Sequence, residues 1–179
     1  MKLILLLFGL TFQLTGYCTT LRYLPFPDLI DKSNLIVRAV IEDTQPIKRK
    51  NQIWTQYHLR ILETLRGPSL KEVFMIQPGG LSGVFETFVA GTVKFQNGDD
   101  ICLFLRESDE GFYQIIGLEQ GQFKLISVGP KVIVLLNPNQ MAQIPSASSR
   151  SIQALEKAEN FIQEPSWQRF KEIIKLHVY

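Results

Sequence analysis

Imidazole is scarce in this sequence: two histidines, His58 and His177, serve 179 residues. No third ring is present to complete a histidine-rich zinc site, and a serine triad would have to recruit one of these two. Gly80-Leu81-Ser82-Gly83 lacks the closing spacing of a nucleophile elbow and reads as a turn. Glycines 79, 80 and 83 lack the following helix and lysine of a phosphate loop. Charge of one sign is lacking as well. Nineteen Lys and Arg face 17 Asp and Glu, a balance without the basic excess that nucleic-acid phosphates demand. Acidic residues at Asp99, Asp100, Glu107, Asp109 and Glu110 do not alternate as calcium-loop ligands do and read as solvated turns. The expectation is a non-catalytic chain without cofactor or metal, and without a nucleic-acid partner.

Long apolar runs are also missing, apart from one short one at the start. Lys2 followed by Leu3 to Leu10 has the charged and apolar regions of a secretory signal, too short for a membrane span. Residues 1–16 are therefore expected to be a signal peptide, with cleavage after residue 16 or 17, and the mature chain to be exported to a periplasmic or extracellular compartment. There only two cysteines remain, Cys18 and Cys102. In an oxidising compartment they allow one disulfide closing a long loop. The other readings stay open: Cys18 is lost or lipidated, and Cys102 is a buried small hydrophobe. A membrane partner is expected only if Cys18 carries a lipid.

What is abundant is alternation. Residues 34–43 place Leu35, Val37, Ala39 and Ile41 on one face of a strand, with Ile36, Arg38 and Val40 on the other. The run from Ile53 to Leu65 places Tyr57, Leu59 and Ile61 inward and His58 and Arg60 outward. The two form a hairpin, and Thr44 to Gln52, with Pro46 and Lys48-Arg49-Lys50, reads as its solvated loop. Short β-rich runs follow near 72–77, 84–90, 100–106, 112–116, 121–127 and 131–136, punctuated by Pro78-Gly79-Gly80, Asn97-Gly98-Asp99, Gly129-Pro130 and Asn137-Pro138. Closing such a meander removes its edges, so the expected fold is mainly β: a small closed antiparallel barrel over residues 17–145. Phe85, Phe88, Phe95 and Phe104 are read as its core rather than as a stacking surface for single strands.

Residues 146–179 read as a linker followed by helices. Ile152, Leu155, Ala158 and Phe161 fall at helical spacing. After Pro165, Ser166 is an N-cap, and Trp167, Phe170, Ile173, Ile174 and His177 trace one stripe that packs on the barrel.

The segment Ser33-Asn34-Leu35-Ile36-Val37-Arg38-Ala39, with Thr55-Gln56-Tyr57-His58-Leu59-Arg60 and Leu65-Arg66-Gly67, resembles the tissue inhibitors of metalloproteinases, which belong to the netrin-like domains. Cys18-Thr19 and their distance to Ser33 are similar to the start of that family's inhibitory domain. Thr20 stands where the second cysteine would be, and two cysteines stand in place of six. The resemblance implies a five-stranded barrel of the oligonucleotide/oligosaccharide-binding (OB) type and a protein partner, a metalloprotease. It also implies that the free amine and carbonyl of Cys18 chelate the target's zinc while Thr19 enters the specificity pocket. The second expectation is a structural envelope protein anchored at Cys18.

Overall fold

The computed structural model describes residues 22–146 and 152–178; the expected signal segment, Cys18 and Thr19 lie outside the described residues. The chain is mainly β, with helices at its C-terminal end. In order it runs α1 (Phe26–Lys32), β1 (Leu35–Arg49), β2 (Gln52–Arg66), β3 (Glu72–Pro78), β4 (Gly80–Ser82), β5 (Phe85–Thr87), β6 (Asp100–Glu107), β7 (Tyr113–Ile115), a 3-10 turn (Leu118–Gly121), β8 (Gln122–Val128), β9 (Lys131–Leu135), α2 (Pro138–Ser146), α3 (Ile152–Gln163) and α4 (Trp167–Val178).

Five strands make a ring, β1-β2-β3-β7-β6, completed by the pairing of β6 with β1. All its junctions are antiparallel except one: β3 meets β7 in parallel through the single pair Met75 and Tyr113. The expectation of a wholly antiparallel closed barrel is thereby corrected. Tyr113–Ile115 pairs with β6 at all three of its residues and with β3 at one. β6 divides its second edge. Its C-terminal half carries β7 and completes the ring, while residues 100–103 pair with β8, from which β9 hangs as a branch.

Coverage of both its faces explains why β6 reads as an unbroken apolar run rather than an alternation. Ile101, Leu103 and Leu105 face the interior of the ring with Leu35, Val37, Ala39, Ile41, Tyr57, Leu59 and Met75. Cys102 and Phe104 face outward into a second core, with Phe26, Phe123, Phe161, Phe170, Ile173 and Ile174. A strand covered on both faces has no solvent side to make polar. The C-terminal stripe packs as expected: Trp167, Phe170, Ile173 and Ile174 are all buried against the sheet.

A charged set fixes α4 in place. Glu63 on β2 accepts hydrogen bonds from Trp167 Nε1 and Lys171 Nζ, both at 2.9 Å. Beside it Arg38 forms a forked pair with Asp100, with Nη2 to Oδ2 at 2.6 Å, and its guanidinium lies 5.7 Å from the Trp167 ring centre. Burial works against the Glu63 charge, but Lys171, Trp167 and Arg38 outweigh it and hold the carboxyl below its usual range. A depressed carboxyl stabilises the fold above its unfolded pKa, and that contribution disappears as pH falls through the folded one. The melting temperature should therefore fall from pH 5 toward pH 3 by more in the native chain than in Glu63→Gln, as read by thermal unfolding across that window.

Two helices escaped the sequence reading. Asn137-Pro138 is a helix start rather than a turn between strands: Asn137 Oδ1 accepts from the Gln140 backbone N–H at 2.8 Å, and Gln140 Oε1 accepts from the Asn137 N–H at 3.0 Å. This is a reciprocal capping box with proline at the first helical position. Asn137→Ala should lower unfolding free energy by about 1 kcal/mol, measurable by urea titration. α1 opens on Pro27 and buries Phe26, Leu29 and Ile30; seven residues are too few for helical periodicity to stand out.

The expected loop at residues 44–52 is a correction of a different kind. β1 and β2 stay paired from Thr44–Tyr57 to Arg49–Gln52 as a two-stranded ribbon. Only Lys50 and Asn51 turn the chain, both at positive φ, the pattern of a two-residue type I′ hairpin. Pro46 fits because β6 covers β1 only as far as Val40, leaving an open edge where a missing N–H costs nothing.

Candidate functional site

At the mouth of the ring the ribbon, the start of β4 and the segment carrying Lys94 and Phe95 enclose a pocket of about 420 Å³. Its wall is mostly apolar, formed by Pro46, Leu81 and Phe95 with the ring of Tyr57; Thr44, Thr55 and Lys94 add polar groups. Tyr57 and Phe95 meet edge to face at 5.3 Å between ring centres. Burial pushes the Tyr57 phenol up, partly offset by a hydrogen bond with the Phe95 backbone and by Lys94. An apolar cavity of this size with a few convergent polar groups at the mouth of a β-ring has the form of a ligand site.

The backbone builds this wall through glycine. Gly79 donates its N–H to Ile53 O at 2.9 Å, and its carbonyl accepts from Thr55 Oγ1 at 2.8 Å. The chain then leaves β3 at Gly80, φ +132°, where a Cβ would sit 2.2 Å from Thr55 Oγ1. No other residue admits this approach. Gly80 delivers the chain into a small separate hairpin, β4–β5, turning at Gly83.

That hairpin overturns part of the sequence reading. Phe104 and Phe95 are core, as expected, but Phe85 and Phe88 are 72% and 75% exposed, with Val84 at 90% and Leu81 at 59%. Composition alone could not separate the two pairs. The available signal was punctuation: Gly79, Gly80 and Gly83 surround a run too short to join the main sheet. Exposed apolar side chains gathered on one projection mark an interaction surface.

The other candidate residues are dispersed. His58 lies on the outer face of β2, stacked on Phe74 at 4.9 Å, with Nε2 2.9 Å from Glu72 Oε2 and Nδ1 3.8 Å from Glu42 Oε2. His177 Nδ1 is 2.9 Å from the Ile173 carbonyl on its own helix. Asp99 is bonded to Lys124, and Asp100 to Arg38. Among the described residues no group of three or more His, Cys, Asp and Glu side chains could hold a metal ion. Cys102 is a free, fully buried thiol, and burial pushes its pKa well up. It should resist thiol reagents in the native chain and react at once in guanidinium, which a timed mass-labelling series will show.

A second cleft, of about 250 Å³, opens between Tyr23, Glu119, Asn137 and Asn139. Its buried glutamines are engaged with backbone. Gln120 accepts from the Leu24 N–H at 2.8 Å and donates to Arg22 O at 3.0 Å, Gln143 donates to Leu24 O, and Gln140 donates to Gln122 O. Gln120 and Gln143 clamp residues 22–24 to the domain. No protein-family model matches the sequence, and no curated protein matches it.

Proposed function

We propose that this chain is an exported, non-catalytic binding module whose ring is a small barrel of the OB type, and that it receives an apolar side chain of a protein partner in the pocket at the ring's mouth. The observation that carries the reading is that pocket, walled by Tyr57, Leu81 and Phe95 and placed beside an apolar hairpin. The ring order, with three hairpin links (β1–β2, β2–β3 and β6–β7), a long connection from β3 to β6 and a single parallel junction, supports the finer fold assignment. The signal-like N-terminus supports export.

Inhibition of a metalloprotease through Cys18 and Thr19 is the specific form of this reading, and it requires an unblocked Cys18 amine. Incubating the exported protein with zinc endopeptidases, together with intact-mass analysis of its N-terminus, tests it. Stoichiometric loss of peptidase activity, abolished by acetylating the N-terminal amine, is the expected result. A chain starting at Tyr17 that leaves the peptidases active removes the inhibitor form. The second reading, a structural envelope protein anchored at Cys18, is favoured by a diacylglyceryl mass on that residue.

A further inference from the structure

We infer that the β4–β5 hairpin docks on the surface of an anionic phospholipid bilayer, bringing the neighbouring pocket to the membrane. Val84, Phe85 and Phe88 are the most exposed large apolar side chains on this projection, all above 70%, and apolar side chains of this kind insert at the boundary between headgroups and acyl chains of a bilayer. On β5, Phe85 and Glu86 leave opposite faces of the strand. Glu86 pairs with Lys94 at the pocket, so Phe85 is turned the other way, and the hairpin's acid is neutralised.

One cation stands beside the projection, and a second at the tip of the same ribbon. Lys48 sits opposite Ile53 on the ribbon, and Ile53 Cγ2 is 3.9 Å from the place a Cβ on Gly80 would take. Lys50 stands at the ribbon's turn. Both lysines are exposed and, among the described residues, neither has an ion-pair partner. Apolar insertion combined with nearby lysines is the pairing of signals that holds a protein on acidic lipid. The N-terminal side adds a third element. Gly91, just past the hairpin, accepts from the Glu119 N–H at 2.9 Å, and the adjacent Gln120 clamps Arg22 and Leu24. Arg22, the first described residue, is thus tied through Gln120 and Glu119 to the segment that follows the hairpin.

The test is co-flotation of the purified exported chain, carrying Cys18→Ser so that no acyl group is attached, with vesicles of phosphatidylglycerol and phosphatidylcholine or of phosphatidylcholine alone. Expected are at least tenfold stronger partitioning onto the anionic vesicles and a tenfold loss in Phe85→Ser/Phe88→Ser. A loss of at least fivefold at low salt in Lys48→Ala/Lys50→Ala, which 0.5 M NaCl reproduces in the parent, is also expected. All of these side chains are exposed, and unchanged thermal unfolding confirms folded variants. Absence of flotation, equal binding to neutral vesicles, or full binding by the serine variant overturns the inference. A protein cross-link from residue 85 that forms without lipid also overturns it. None of these outcomes removes the pocket reading, which is tested at Leu81 on the other strand.

Discussion

Phe170→Ala should lower the unfolding free energy by about 3–5 kcal/mol, the largest loss expected from a single side chain here. Phe170 is fully buried and is the meeting point of the outer core. Its ring centre lies 4.8 Å from Phe123, 5.2 Å from Phe161, 5.6 Å from Phe26 and 6.0 Å from Trp167. Those partners come from β8, α3, α1 and α4 itself, so no single neighbour can move inward to fill the space. A cavity bounded by several elements collapses poorly and keeps its full cost. Denaturant unfolding measures the loss; a change below about 1 kcal/mol would mean that the C-terminal helices contribute little to holding the sheet.

Gly67→Ala should be nearly as damaging, at roughly 2–5 kcal/mol, although it adds only a methyl group. Gly67 ends β2 at φ +94°, and a Cβ there would sit 2.3 Å from the Asn34 carbonyl oxygen and 3.2 Å from Leu35 Cα. Both obstacles are backbone, which cannot rotate aside. Asn34 also donates its N–H to Leu105 O at 3.1 Å, so displacing it disturbs the β1–β6 pairing that completes the ring. Chemical denaturation with a ring-interior probe at Tyr57 checks this. A Gly67→Ala chain as stable as its parent would show that the β2 exit can shift without cost.

Legibility in the sequence followed the number of solvent faces. β1 and β2 alternate, and of their inward residues Leu35, Val37, Ala39, Ile41, Tyr57 and Leu59 are buried in the ring while Ile61 is half-buried against it. The α4 stripe was legible because one face of the helix is dry and the other wet. Where both faces of a strand are covered, as in Ile101 to Leu105, the sequence shows an apolar run whose neighbours cannot be deduced, and so the branch at β6 could not be anticipated. The α2 capping box was legible in principle, but Asn-Pro marks a turn as often as a helix start.

The site was less visible than the fold. Thr44, Thr55, Tyr57, Leu81, Lys94 and Phe95 converge only because the ribbon, the start of β4 and the segment before β6 come together in the fold. Nothing in their spacing along the chain brings them together. Phe85 and Phe88 were read as core for a sound energetic reason, since burying such rings is favourable by about 1.5–3 kcal/mol each. Their exposure is what makes the hairpin informative.

The measurement that bears most directly on the pocket is photo-cross-linking from position 81 in cells that make the chain. With a benzophenone side chain replacing Leu81 at the pocket wall, the pocket reading predicts one discrete protein adduct, lost when Thr44→Trp fills the pocket from the ribbon side. The same group at Leu62, on the exposed outer face of β2, should give none. Equal labelling from positions 81 and 62, or an adduct indifferent to Thr44→Trp, would contradict it.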